Sequence, residues 1–226
     1  MRRILLAITA IFGTASGAFT QTPPSASEIG TFSPLFLAAH GGTAQDIQQV
    51  LAGGAEVSET DEKGRTAVHI AAFASNTEAL GVLAAAGADM NALEYQLYDA
   101  VTIASVANDP ETLRAALAAG NRADLITSVY ERTALIAAAH LGHHEVVGIL
   151  IEAGAPLDHI NNLGWTALME SVVLGDGGPN HVATARLLLE AGADPDIGDR
   201  SGATPADHAR QRGYTEMIAL FERFGR

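Results

Sequence analysis

Cysteine is absent from all 226 residues of the sequence. Disulfide bonds, a lipid anchor on cysteine and thiol chemistry are therefore excluded. The absence of thiols also suits an oxidising compartment, because a stray thiol is a liability there.

Positive charge is scarce as well. The chain has 13 lysine and arginine residues against 26 acidic ones, which gives a formal net charge of −13. Lys63 is the only lysine, and no glycine-rich phosphate-binding motif surrounds it. A surface with this charge repels phosphate backbones and anionic lipid headgroups. We therefore expect neither nucleic acid nor a membrane surface as a partner.

A membrane-spanning run is also missing. The apolar run near the start, 4–12, is shorter than the about 20 residues that cross a bilayer. Two arginines precede it, and the small residues Ser16 and Ala18 follow it. This order is typical of a secretory signal peptide at 1–18, cut near Ala18, and we expect a periplasmic or secreted protein. The arginine pair leaves the twin-arginine route open, although general secretion is favoured.

Aromatic residues make up only 5% of the chain, whereas hydrophobic residues as a whole make up 48%. A core with so few large rings favours short helices that pack closely through small side chains. The length suits one domain of ordinary size.

After a linker at 19–30, the chain repeats a unit of about 33 residues. Ser, Thr or Asp recurs where each unit's first helix begins, and its side-chain oxygen can accept a free backbone N–H there. Glycine recurs just past the second helix, where a left-handed residue is needed. The helix-opening residues are Ser33, Thr66, Asp99, Thr133, Thr166 and Thr204, and the glycines are Gly54, Gly87, Gly120, Gly154 and Gly192.

Two short helices lie between each opening residue and its glycine. Neither helix can bury its apolar face alone, so neighbouring units have to stack. Four segments resemble the ankyrin repeat: 66–72 (TAVHIAA), 133–139 (TALIAAA), 142–143 (GH) and 188–193 (LLEAGA).

The resemblance to ankyrin repeats covers about 31–226. It implies an all-α solenoid of about six stacked helix pairs, with β-hairpin or loop tips on one edge. The first and last units would act as caps. The expected units are about 31–60, 61–93, 94–127, 128–160, 161–198 and 199–226.

Two departures from the repeat pattern stand out. Leu97 occupies the turn position that glycine fills in other units, such as Gly64 and Gly164. The fifth unit also carries an insertion from Gly175 to Pro179, whose composition predicts a loop. We expect this loop to project beside the binding surface and to be dispensable for folding, because surface insertions cost little stability.

Three histidines, His140, His143 and His144, could suggest a metal site. The repeat places Gly142 at a turn among them, and no Asp or Cys joins them at ligand spacing. We interpret this cluster as structural. Neither a metal nor another cofactor is expected.

The acidic residues give no better enzyme or calcium site. Asp194, Asp196 and Asp199 resemble a calcium loop but lack its bidentate Glu. Glu170 is the one acid among the apolar residues of the first helices, and we interpret it as a partly solvated surface group that could cap the inserted loop. It has no evident nucleophile or orienting partner, so no enzyme activity is expected.

The resemblance implies a protein that binds another protein through a concave face made of loop tips and first helices. We expect it to be monomeric. Aromatic and arginine side chains, the usual anchors of interfaces, are frequent at the corresponding positions. In the competing interpretation, individual rings fill gaps between units. The candidate partner-binding residues are Arg65, Phe73, Tyr95, Tyr98, Tyr130, Arg132, His140, Leu141, Leu163, Trp165, Val173 and Leu174.

Among these, Tyr98, Arg132 and Trp165 precede the opening residues of three consecutive units, and we expect a continuous exposed row. Two alternatives to a general binding module remain. One is an accessory or immunity factor that stabilises or inhibits a periplasmic enzyme, and the less favoured one is a metal-dependent enzyme.

Overall fold

The computed structural model describes residues 21–224, so the predicted signal peptide at 1–18 lies outside the described residues. Within this range the chain is entirely helical apart from its turns, and its only β-structure is an isolated antiparallel bridge between Thr127 and Arg132. The prediction of an all-α fold is confirmed, but the tips between units are turns and not extended β-hairpins. The helices are α1 (Ala26–Ile29), α2 (Pro34–Gly41), α3 (Ala44–Ala52), α4 (Ala67–Phe73), α5 (Thr77–Ala85), α6 (Ala100–Val106), α7 (Pro110–Ala118), α8 (Ala134–Leu141), α9 (His144–Glu152), α10 (Ala167–Val173), α11 (Pro179–Glu190), α12 (Pro205–Arg212) and α13 (Thr215–Phe224).

The helices stack in two layers. The first helices of successive units, α2, α4, α6, α8, α10 and α12, each pack against the next one along the chain. The second helices, from α3 to α13, form a parallel layer in the same order. The predicted solenoid of six helix pairs is confirmed. No helix within the described range is both long and apolar enough to cross a membrane.

Small side chains allow the first helices to lie close together. The fifth residue after each opening residue is buried and small in the first five units. A larger side chain there would overpack the contact between two helices. These residues are Ala38, Ala71, Ala104, Ala138 and Ser171.

The predicted opening residues cap the first helices. In most units the side-chain oxygen accepts the backbone N–H three residues on, as at Asp99 and Thr166. Unit two differs, because Nδ1 of His69 accepts from Thr66 N at 3.0 Å. The other ring nitrogen, Nε2, lies 3.0 Å from the carbonyl oxygen of Tyr98 and donates to it. His69 therefore joins its own helix to the loop of the next unit.

The insertion in unit five is part loop and part helix. Pro179 is the first residue of α11, which has 12 residues where α5, α7 and α9 have 9. The remaining loop is held on two sides. The Tyr214 hydroxyl donates to Gly175 O at 3.0 Å, and His181 bonds Asp176 Oδ1 at 2.8 Å through Nδ1. These contacts favour a structural role, and the expectation that the loop is dispensable stays untested.

Two histidines, the buried His69 and the half-buried His143, should make the fold sensitive to acid. Burial lowers the pKa of His69, and burial also lowers the pKa of His143, which hydrogen-bonds Ser105 O at 3.0 Å. At these two histidines the unfolded chain therefore binds protons below about pH 6.5, whereas the folded chain stays deprotonated to a lower pH. The stability that these groups provide is complete above that pH and is lost as the pH falls.

We predict that the free energy of unfolding in urea decreases from about pH 7.5 to about pH 5.5. The double variant His69→Gln/His143→Gln should be less stable than the parent at pH 7.5, with a flatter pH dependence. The exposed His144 provides the control, since His144→Gln should keep the parental slope. An unchanged slope in the double variant would contradict the prediction.

Candidate partner-binding surface

The position before each opening residue does not form the exposed row that we expected. Arg65, Tyr98 and Arg132 are buried, with side chains 3%, 8% and 3% exposed. The prediction of a continuous row is therefore wrong, and only Trp165 at this position is half-exposed. Polar partners explain the burial of the two arginines, because each guanidinium finds a carboxylate that compensates its desolvation.

Arg132 reaches the carboxylate of Glu170, 38 residues further along the chain. Its Nε donates to Glu170 Oε1 at 2.8 Å, and Asn161 Nδ2 donates to the same oxygen at 2.7 Å. Nδ1 of His140 lies 3.3 Å from Glu170 Oε2. These four residues form the buried cluster, which joins units four and five. The Arg132 guanidinium also lies 4.7 Å from the ring centroid of Tyr130, within cation–π distance.

The interpretation of Glu170 as a partly solvated surface group is wrong. Its side chain is completely buried, and it binds the cluster instead of capping the inserted loop. A carboxylate whose two oxygens are both engaged suits a structural anion better than a general base. The sequence carried one signal for the pairing: Glu170 is the one acid at a first-helix position that is apolar in the four preceding units, and Arg132 lies in the adjacent unit.

Four of the five loops between units are built around one side-chain acceptor. In four loops a side-chain oxygen accepts the backbone N–H groups two and four residues further on. The fourth residue of each of these four turns has a positive φ: Gly64, Leu97, Gly164 and Gly202. Leu97 adopts this conformation although it is not glycine, with a φ of 65°, and so does Glu131 in the remaining loop, with a φ of 54°. The acceptors are Asp61, Glu94, Asn161 and Asp199.

Backbone hydrogen bonds connect these loops into a continuous edge. Tyr95 N donates to Lys63 O at 3.0 Å, and Ser128 N donates to Leu97 O at 2.9 Å. A third bond follows between units four and five, from Asn162 N to Tyr130 O. Side chains on successive loops are therefore presented side by side.

The loops of units three, four and five expose most of the large apolar side chains. Of the seven exposed large hydrophobic residues in the described part of the chain, only Leu37 lies elsewhere. The other six form what we call the tip surface. They are Leu93 (39% exposed), Tyr95 (74%), Leu97 (42%), Ile126 (54%), Val129 (66%) and Ile160 (51%).

Sequence reasoning identified only Tyr95 of this set. The five aliphatic residues lie at loop positions other than those at which the repeat pattern predicts anchors. Their signal was present in the comparison of loops: Ile160 directly precedes the acceptor Asn161, and the residues that precede Asp61 and Asp199 are Thr60 and Gly198. The remaining candidates are half-buried along the concave side or at the loops: Phe73, Tyr130, His140, Leu141, Leu163, Trp165, Val173 and Leu174.

The model for ankyrin repeats in three copies matches residues 100–199, and the single ankyrin-repeat model matches 63–95. The chain belongs to the ankyrin-repeat family. Ankyrin repeats generally mediate protein–protein interactions, and the fold is typically a non-catalytic scaffold. Together the two models span more than half of this ankyrin-repeat chain.

Bacterial ankyrin proteins are among its relatives. A solved ankyrin-repeat domain from Acinetobacter baumannii is 41% identical with a TM-score of 0.78, covering 85% of this chain and 97% of that one. The ankyrin-repeat protein EF0377 is 33% identical with a TM-score of 0.76, covering 84% and 96%. YahD of Escherichia coli is 40% identical over 87 residues, which are 38% of this chain and 43% of YahD. The chain thus matches less than half the length of its curated relatives.

Removing the anion of the buried cluster should destabilise the protein strongly. Glu170→Ala leaves Arg132 buried without its carboxylate, and we expect a loss of about 3–5 kcal/mol in urea unfolding. The double variant Arg132→Met/Glu170→Leu removes both charges and should recover most of that loss. A single-variant cost below about 1 kcal/mol, or a double variant no more stable than Glu170→Ala, would contradict a buried ion pair.

Proposed function

We propose that this ankyrin-repeat protein binds a partner protein through the tip surface. The observation that carries the proposal is the clustering of exposed apolar side chains, six of seven, on three consecutive loops. Soluble proteins seldom expose contiguous large apolar patches unless the patch serves an interaction. Half-buried residues beside the loops, Leu163 and Trp165, extend this surface toward the concave side.

The backbone at Leu97 supports the same proposal. A left-handed conformation costs a residue other than glycine roughly 1–2 kcal/mol, and the equivalent residues Gly64, Gly164 and Gly202 avoid that cost. Leu97 nevertheless keeps its side chain, which is 42% exposed and contributes little to the core. A side chain retained at a cost to stability is a sign of function.

Charge indicates what the partner looks like. Exposed carboxylates at Glu62, Glu131 and Asp158 lie on or beside the loops that carry the tip surface, and the chain has a net charge of −13. A complementary partner has an apolar patch flanked by lysine or arginine. Such complementarity accelerates association, so the association rate should fall as salt is added.

We further propose that the protein acts in the periplasm or outside the cell. The basic start, the short apolar run at 4–12 and the small residues Ser16 and Ala18 support export, and so does the absence of cysteine. Mass spectrometry of the protein from its native host should find a mature amino terminus at or near Phe19. An intact Met1 on protein from the cytoplasmic fraction would exclude this location.

Single changes on the tip surface should weaken binding without unfolding the protein. Cross-linking in periplasmic extract identifies a partner, and titration with that purified partner then measures each variant. We expect Tyr95→Ala and Val129→Ser to weaken binding at least tenfold, about 1.4 kcal/mol. Their melting temperatures should stay close to the parent, because both side chains are largely exposed.

Leu97→Gly separates binding from stability most sharply. Relief of the positive φ should make this variant as stable as the parent or up to about 1 kcal/mol more stable, while its binding weakens. Leu37→Ser is the matched control, since Leu37 is 49% exposed but lies in unit one. The proposal that the tip surface binds the partner would be refuted if Leu37→Ser weakened binding equally. It would also be refuted if Tyr95→Ala, Val129→Ser and Leu97→Gly all bound as tightly as the parent.

A further inference from the structure

Residues 21–29, which we call the N-terminal segment, are more than a linker. They lie across the concave side of units two and three. Gln21 and Pro23 line a shallow cavity together with Phe73, Ile103 and Val106. A neighbouring cavity brings Gln21 and Thr22 beside Lys63, Arg65, Phe73 and Tyr98. Three of the predicted partner-binding residues therefore face the chain's own N-terminal segment.

The sequence of the segment favours an extended conformation. Thr22 and Pro23 both precede a proline, and a residue before proline avoids the helical region. Prolines in an extended chain present a rigid apolar surface and lose little entropy on docking, which is how proline-rich peptides bind aromatic-lined grooves. Phe73 and Tyr98 supply two aromatic side chains to this groove.

One carboxylate attaches the segment to unit two. Glu28 Oε1 lies 2.7 Å from Lys63 Nζ and 2.8 Å from Arg65 Nη2. Glu28 also completes a capping box with Ser25, which fixes the orientation of α1. The bonds from Lys63 and Ser25 hold the pKa of Glu28 well below its usual range.

The guanidinium of Arg65 has one donor nitrogen, Nη1, that none of the described residues engages. The Arg65 side chain is 3% exposed and binds Asp61 at 2.6 Å as well as Glu28, yet none of the residues from 21 to 224 offers a hydrogen-bond acceptor to its buried Nη1. A buried donor without an acceptor is costly, and a ligand that offers one is favoured there. The groove thus combines an apolar floor at Phe73 and Val106 with a fixed cation at one end.

We propose that the groove of units two and three binds an extended, proline-containing peptide segment with a carboxylate for Lys63 and Arg65. In the free protein the N-terminal segment occupies this groove, and a partner segment of the same chemistry displaces it. The proposal rests on the proposed function, because it adds a second contact region to the same partner. It concerns a different surface, however, and can fail independently of the tip surface.

The absence of cysteine makes a direct test available, because one introduced thiol reports on one position. Val106→Cys places the thiol under the N-terminal segment, and Val173→Cys places it at the same position of unit five as a matched control. Each is combined with Glu28→Lys, which sets like charges against Lys63 and Arg65. Labelling by a soluble maleimide is then timed on the folded protein.

We expect Glu28→Lys to accelerate labelling at position 106 at least tenfold and to change labelling at 173 less than twofold. Equal rates at 106 with and without Glu28→Lys would overturn the proposal. If Val106→Cys does not fold, Ala107→Cys replaces it, since Ala107 lines the same cavity and is exposed.

The ligand class is tested with a synthetic peptide of residues 21–30. Added at millimolar concentration to the Val106→Cys/Glu28→Lys protein, it should slow labelling at least threefold. The same peptide with Glu28→Gln should protect less, and neither peptide should protect Cys at 173. Absence of protection would overturn the assigned ligand class. Binding through the tip surface is measured separately with Tyr95→Ala, so the two proposals are distinguishable.

Discussion

The whole structure depends on the stacking of helix pairs that cannot bury their apolar faces alone. Each first helix packs against its neighbours and buries a small residue at the same position, such as Ala71, Ala104 and Ala138. Stability is then a sum of contacts between adjacent units. Because every unit has to make the same contacts, similar residues recur at the same positions of every unit. The fold could be predicted from the sequence because of this repetition.

Features that recur in each unit were predicted, and features that join particular units were not. The opening residues, the glycines with positive φ and the turn at Leu97 follow from the backbone of one unit. The burial of Arg132 follows from a carboxylate 38 residues away on the next unit. Position within a repeat fixes the backbone of a residue, but the facing side chain decides whether a charge is buried. The predicted row through Tyr98, Arg132 and Trp165 is interrupted at Arg132 for this reason.

The exposed side chains at the loop tips take no part in the stacking of helix pairs. In four of the loops one side-chain acceptor fixes the backbone, and the exposed side chains there have no helix contact to satisfy, so their sequence is free to vary. Units two and six use that freedom for charged residues, Lys63 and Arg200, whereas the three units between expose aliphatic and aromatic side chains. Only a comparison of equivalent loop positions, together with their exposure, reveals the tip surface.

The buried cluster and the tip surface are connected through units four and five. Arg132 and Asn161 belong to the loops that carry Val129 and Ile160, and both are held by Glu170. A loop fixed in this way loses less conformational freedom when a partner binds, which improves affinity without any added contact. The charged pair need not stabilise the fold more than apolar residues would, since the desolvation of two ions offsets much of their attraction. Its value lies in holding two binding loops in one fixed relative position.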